Sequence, residues 1–329
     1  MPTRPFSPRR AALASLVAAA LVAAAAPAFT AAAEKSVALT AIVEHPALDA
    51  ARDGVKDELK AAGYEAGKNL KFEYQSAQGN TGTAAQIARK YVGARPDVIV
   101  AIATPSAQAV VAATKDIPVV YSAVTDPVAA KLVKTWDASG SNVTGVSDLS
   151  PLEKHLELIK KVAPAAKRVG VIYSPGEANS VAIVEALKKA CAAAGLTLVE
   201  AAAARTVDVP SAAQSLVGKA DVIYAPTDNN VMSAFEGIVK VAQQAKLPVV
   251  AADTDAVKRG AVAALGLNYY DLGRQTGKLV VRILNGESAG KMPSQVSTTF
   301  ELHVNPAAAQ KQGIALSDEL VKSAKVVVR

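Results

Sequence analysis

Residues 168–180 read R-V-G-V-I-Y-S-P-G-E-A-N-S. Val169, Val171, Ile172 and Tyr173 make a short apolar run that stops at Ser174-Pro175-Gly176, and an Ala/Leu-rich segment, Ala178 to Ala194, follows at once. The pattern is a buried strand, a tight turn and a helix start. The first N–H groups of a helix lack intrahelical partners and sit at the positive end of its dipole, so such a turn suits an anion. Ser174, Asn179 and Ser180 add side-chain donors. Simple helix capping by Ser174 or Asn179 accounts for the same residues without a ligand. What favours a site is that the chain builds this turn repeatedly.

From residue 34 onward, strand and helix textures alternate. Strands are expected at Val37–Val43, Leu70–Ser76, Asp97–Ala101 and Pro118–Ala123, with helices at Leu48–Ala62, Thr83–Ala94 and Pro105–Lys115. That alternation implies βαβ units and a parallel sheet. The order then returns. Val171–Pro175 answers Ile42–Pro46 at an offset of 129, and Gly195-Leu196 answers Gly63-Tyr64 at 132. Asp221–Ala225 answers Asp97–Ala101 at 124, and Leu247–Val250 answers Ile117–Val120 at 130. Four ordered matches predict two similar α/β lobes, near 34–146 and 150–265. The tail, with a helix at Leu272–Leu284, a strand at Thr298–Val304 and short helices from Pro306, is too small for a third lobe. It must pack on the first two, crossing between them as a hinge.

The first 33 residues read as an export leader. Arg4, Arg9 and Arg10 precede an unbroken small, apolar run, Ala11 to Ala26, and two A-x-A cleavage patterns follow. A membrane anchor is the competing reading, but sixteen Ala-dominated residues are short for a span. Without these arginines the formal charge falls from +7 to +4, 33 basic against 29 acidic residues. No dense Lys/Arg cluster remains, which argues against a nucleic-acid partner. Cys191 is the only cysteine, so no internal disulfide and no zinc-thiolate site can form. Walker A, G-x-S-x-G, H-E-x-x-H and G-x-G-x-x-G motifs are all absent, which disfavours an enzyme and leaves no metal or cofactor to assign.

Ligands of open parallel sheets bind beyond the carboxyl ends of the strands. Those positions hold Glu44 and His45, Thr104 and Ser106, Thr125 and Asp126 in the first half. In the second they hold Ser174, Glu177, Asn179 and Ser180, then Thr227, Asp228 and Asn229, then Asp253 to Asp255. Each has a plain capping reading, and His45 fits an ordinary loop histidine. Together they suit a zwitterion, with helix N-termini and hydroxyls for a carboxylate and acids for an ammonium. In that reading the Tyr173–Ser180 turn meets the anion, and Glu177 points to solvent. Asp126, Asp228 and Asp253 face the cation, and Tyr121, Tyr173 and Tyr224 are available to stack on a ring.

Six stretches carry a family resemblance. They are V-E-H-P-A-L-D-A-A-R-D-G (43–54), A-T-P-S-A-Q-A (103–109), A-V-T-D-P-V-A-A (123–130), Y-S-P-G-E-A-N-S (173–180), P-T-D-N-N-V (226–231) and G-L-N-Y-Y-D-L-G-R-Q-T-G (266–277). The chain resembles the ABC transporter substrate-binding proteins of the tryptophan/tyrosine type, which have the type I periplasmic-binding-protein fold. Ser174 stands where that family's pattern has Asn. The resemblance implies a periplasmic, monomeric receptor that closes on a small amino-acid-class ligand, some members taking aromatic ones, and delivers it to a membrane permease. It implies a first lobe of residues 34–148 with about 270–297, and a second of 149–269 with about 298–329. It also implies Thr104 and Ser106 as ligand contacts from one lobe, and Ser174, Asn179 and Ser180 from the other. A sensory binding module reporting to a membrane kinase has the same fold and export signal, and an exported hydrolase on this scaffold is a third reading. Co-purifying partners and ligand turnover, respectively, distinguish them.

Overall fold

The computed structural model describes residues 1–3 and 34–328; the expected leader, apart from its first three residues, lies outside the described residues. Residues from Glu34 onward form one compact unit. No helix of the described residues is long and apolar enough to cross a membrane.

The first half runs β1 (Lys35–Ala41), α1 (Pro46–Ala61), β2 (Leu70–Ser76), α2 (Thr81–Ala94), β3 (Val98–Ile102), α3 (Thr104–Ala113), β4 (Val119–Ser122) and β5 (Val143–Ser147). The second runs α4 (Leu152–Val162), β6 (Arg168–Tyr173), α5 (Ala178–Ala193), β7 (Thr197–Ala202), α6 (Val209–Leu216), β8 (Val222–Ala225), α7 (Asn229–Ser233), α8 (Phe235–Ala245), β9 (Val249–Ala251) and β10 (Ala263–Leu267). The tail adds α9 (Tyr269–Leu284), β11 (Gln295–Val296), β12 (Phe300–Val304), α10 (Pro306–Lys311), α11 (Asp318–Ser323) and β13 (Val326–Val327).

Two separate sheets result, ordered β11-β5-β4-β3-β1-β2 and β13-β12-β10-β9-β8-β6-β7. The inner orders β5-β4-β3-β1-β2 and β10-β9-β8-β6-β7 correspond strand for strand, which is the repeat anticipated from sequence. All pairings are parallel except β10 with β12. The architecture is therefore two α/β lobes with mostly parallel sheets, as expected. Every residue of β3, β4, β8 and β9 is buried, so these strands read as continuous apolar runs rather than alternating ones.

The chain passes between the sheets three times: after β5 into α4, after β10 into α9, and between β11 and β12. The middle crossing is anchored by α9 lying along α1. A Cβ on Gly273 would come 2.1 Å from the carbonyl oxygen of Ala51, and one on Gly54 would come 2.2 Å from that of Tyr270. Only glycine permits this backbone approach. The Arg274–Glu58 pair at 2.6 Å and the Tyr270 hydroxyl on Asp57 at 3.0 Å border the same seam.

Candidate functional site: an enclosed cavity between the lobes

The carboxyl ends of the strands of both sheets converge on a small cavity, the place where open parallel sheets bind ligands. From the first half it is lined by His45 and Leu48, by Ala103 and Thr104, by Ala123 and Thr125, and by Asp148. From the second it is lined by Asn179, by Thr227, Asp228, Asn229 and Met232, and by Asp253, with Tyr269 at the second crossing.

Backbone geometry is unusual on the first-lobe wall. Ala103 and Ala123, which follow β3 and β4, both have left-handed φ, 69° and 54°. An L-residue there costs about 1–2 kcal/mol and persists at sites where the surroundings hold it. The kink at Ala103 leads into α3, whose first intrahelical bond, Ala107 N–H to the Ala103 carbonyl, is 3.1 Å long. The N–H groups of Thr104 and Ser106 precede that bond and stand at the positive end of the helix. With the Thr104 hydroxyl on the cavity wall, this end is suited to a carboxylate.

The second-lobe wall is organised around Asp228. Its carboxylate accepts the Ser174 N–H at 2.7 Å, the Ser174 hydroxyl at 2.8 Å, the Ser180 hydroxyl at 2.5 Å and the Val231 N–H at 3.0 Å. Asn230 Nδ2 adds a bond to the Ser174 hydroxyl at 2.9 Å. The Ser174 and Ser180 donors of the Tyr173–Ser180 turn are thus occupied by a carboxylate of the protein itself, and Asn179 Nδ2 is turned to Glu177. The expectation that this turn meets a ligand's anion is corrected: Asp228 is that anion.

Glu177 is buried rather than solvent-facing, a second correction. Its Oε2 accepts from Asn229 at 2.6 Å and from Asn179 at 3.3 Å. Burial, and then the nearby Asp228, push its carboxyl up to about 7, against the pull of those two amides. Asp253, capping the short turn at Thr254 by accepting the Asp255 N–H at 2.9 Å, is also pushed to about 7, by burial first and by Asp255 next. Asp148 is raised by burial, opposed by Tyr269, whose hydroxyl donates to Oδ2 at 2.7 Å. His45 is held neutral, lowered to about 3 by burial and secondarily by Arg259.

Four polar atoms of cavity-lining residues are buried without a hydrogen-bond partner: His45 Nδ1, Asp148 Oδ1, Asn179 Oδ1 and Thr227 Oγ1. Buried polar atoms in native proteins are nearly all bonded, so the cluster marks where a ligand or water completes the set. Leu48, Met232, Ala103 and Ala123 supply the apolar part of the wall.

Of the residues singled out from sequence, Thr104, Asn179, Asp228, Asn229 and Asp253 line the cavity. Ser174 and Ser180 stand behind Asp228, and Glu177 behind the two asparagines. Ser106 is buried in the first turn of α3, off the cavity wall, with its hydroxyl unbonded. Asp126 lies outside the lining and accepts the Val128 and Ala129 N–H groups, each at 2.9 Å, as a cap of its own turn. Tyr121 and Tyr224 are fully buried in the cores, Tyr224 bonded to His155 at 2.6 Å, so neither can stack on a ligand. His45 lines the cavity, although a loop role fitted it equally well. Asp148 and Tyr269 escaped sequence reasoning. Asp148 follows β5, a strand interrupted by Gly145, and the strand-end rule would have collected it had V-T-G-V-S been read as a strand.

The sequence model of the family described as ABC transporter substrate binding protein matches residues 36–328. A tyrosine-binding protein of Clostridioides difficile is 41% identical over 272 residues, 83% of this chain and 79% of its own length. A solved ABC domain in complex with L-Trp, from Streptococcus pneumonia, is 35% identical with a TM-score of 0.87, covering 90% of this chain and all of that one. A ligand-free, open substrate-binding protein from Clostridium difficile is 42% identical, covers 90% of this chain and 99% of its own, yet has a TM-score of only 0.67. The cavity walls of this chain are buried, Asp148, Asn179 and Asp253 being at most 5% exposed, so the two lobes stand closed against each other in this structure. Fold, cavity and family model agree that the chain belongs to the ABC transporter substrate-binding proteins.

Proposed function

We propose that this protein is a periplasmic receptor that captures a zwitterionic amino acid with an aromatic side chain and presents it to an ABC permease. The observation that carries the reading is the polarity of one enclosed cavity. A helix N-terminus with Thr104 stands on the first-lobe wall, Asp148 and Asp253 supply acid groups, and no Lys or Arg is among the lining residues. A carboxylate is served by the dipole and hydroxyl, an ammonium by the acids. Leu48, Met232 and the two alanines are the apolar residues of the lining, against which a ring would pack. The relatives that bind tyrosine and L-Trp support an aromatic ligand.

In this reading residues 1–33 direct export and are removed, and the receptor acts as a monomer without turnover and without nucleic acid. Residues 34–148 with about 270–297 move as one lobe and 149–269 with about 298–329 as the other. A thermal-shift screen against the twenty amino acids, with sugars and small anions alongside, tests it. Ligand at 100 times its dissociation constant adds about 2.7 kcal/mol of stability. The expected result is a shift with L-tyrosine or L-tryptophan and none with acidic amino acids; a response confined to sugars or anions refutes the reading.

A further inference from the structure

We propose that Asp148 and Asp253 form a charge gate: the lobes close only when a positive charge, the ligand's ammonium or failing that a proton, lies between these two carboxyls. The inference rests on the amino-acid reading of the cavity and goes beyond it, because it makes the ammonium a condition of closure and not merely one contact.

The geometry is specific to this pair. Asp148 follows β5 of the first lobe and Asp253 follows β9 of the second, and both line the same cavity. They are only 4% and 2% exposed in the closed arrangement. Asp228, the third acid on the wall, already receives four donors of its own lobe. Asp253 receives one backbone N–H. Asp148 receives only the Tyr269 hydroxyl, and its Oδ1 faces no partner, Thr125 lying nearby without completing a hydrogen bond. An unpaired buried carboxylate is expensive, and the charge of Asp148 adds to the cost of ionising Asp253.

The charged and titratable groups around the pair make matters worse rather than better. Tyr269 is neutral, Asp255 repels Asp253, and His45 is held neutral on the opposite wall. Asp228 and Glu177 complete an acidic second-lobe wall. Arg259 opposes this by lowering Asp253, but it is paired with Glu236 at 2.6 Å. Burial raises both carboxyls, Asp253 to about 7, so closing on an empty cavity or on an uncharged group requires a proton taken up from solvent. Closing on an ammonium does not.

Calorimetry with L-tyrosine and its desamino analogue, 3-(4-hydroxyphenyl)propionate, tests this between pH 5.5 and 8. Tyrosine affinity should be nearly constant over that span. The analogue should bind with proton uptake and weaken by up to about tenfold per pH unit from pH 5.5 to about 7, levelling off above that. In Asp148→Asn and Asp253→Asn the analogue's pH dependence should flatten, and tyrosine's advantage over it should shrink. An analogue whose affinity is independent of pH in the wild-type protein, or variants that keep the wild-type discrimination, overturn the gate. If neither L-tyrosine nor L-tryptophan binds, the ligand reading fails, and small-angle scattering of the unliganded protein then decides. The gate predicts compaction of the wild type between pH 8 and 5, and a double Asn variant already compact at pH 8; equal, pH-independent profiles refute it.

Discussion

Ser174 donates to both oxygens of Asp228, its N–H to Oδ2 at 2.7 Å and its hydroxyl to Oδ1 at 2.8 Å. The carboxylate thus ties the turn after β6 to the start of α7, acting as an internal counter-ion for a loop that would otherwise bind anions.

Removing that acid should therefore act on stability first. Asp228→Ala removes the acceptor of the Val231 N–H and of the Ser174 and Ser180 hydroxyls, leaving the Ser174 N–H only Ser180 Oγ at 3.0 Å, and each unsatisfied buried group costs about 1–3 kcal/mol. A loss of at least about 3 kcal/mol in denaturant unfolding of the ligand-free protein is expected. Asp228→Asn retains one acceptor oxygen and should lose less. If Asp228→Ala unfolds like the wild type while ligand binding vanishes, the acid is a ligand contact and not a brace.

On the first-lobe wall the ligand carboxylate should depend on Thr104. Thr104→Val preserves shape but removes the hydroxyl, and a hydrogen bond to a charged partner is worth about 1.5–3 kcal/mol. Amino-acid affinity should fall by roughly 10- to 150-fold in calorimetry, with little change in unfolding of the ligand-free protein. Affinity equal to wild type would move the carboxylate elsewhere.

The seam between α1 and α9 gives a prediction opposite in sign to helix propensity. Gly→Ala inside a helix ordinarily gains about 1 kcal/mol. Gly93→Ala in α2, with open space around its Cβ, should follow that rule. Gly273→Ala cannot, since its Cβ would sit 2.1 Å from the Ala51 carbonyl oxygen. The helices must move apart, and a loss of roughly 1–3 kcal/mol by overpacking is expected. Thermal unfolding of the two variants side by side makes the comparison.

Much of this architecture was legible because parallel strands buried on both faces are short apolar runs with abrupt ends, and those ends carry the site. The 124–132 residue offsets located paired strands such as β3 and β8 without any knowledge of contacts. β5 escaped because Gly145 interrupts it, and that glycine is required: a Cβ there would lie 2.2 Å from the Tyr121 carbonyl oxygen. With β5 unread, Asp148 went unread too. Direction was the other blind spot. Strand-end position shows that Ser174, Asp228 and Glu177 are near one another, but not that the first two satisfy each other or that Glu177 turns inward. Those outcomes depend on side-chain packing between α5 and α7, about which residue spacing is silent.

Glu177 supplies a pH dependence of unusual sign. Its folded-state carboxyl, raised to about 7 by burial and by Asp228, binds a proton more tightly than the unfolded chain, where a glutamate titrates near 4.3. Between these values the native state holds more protons than the unfolded state, so stability falls as pH rises through that window and levels off above it. The full linkage for one group approaches 1.4 kcal/mol per pH unit, so a slope on the order of 1 kcal/mol per pH unit is the expectation. Glu177→Gln keeps an acceptor for Asn229, which bonds Oε2 at 2.6 Å, and removes the titration. Denaturant unfolding from pH 5 to 7.5 should show the wild type losing stability with rising pH and Glu177→Gln losing markedly less. Parallel profiles would mean that the carboxyl opens to water in solution and that the closed wall built on Asn179 and Asn229 forms only when ligand is present.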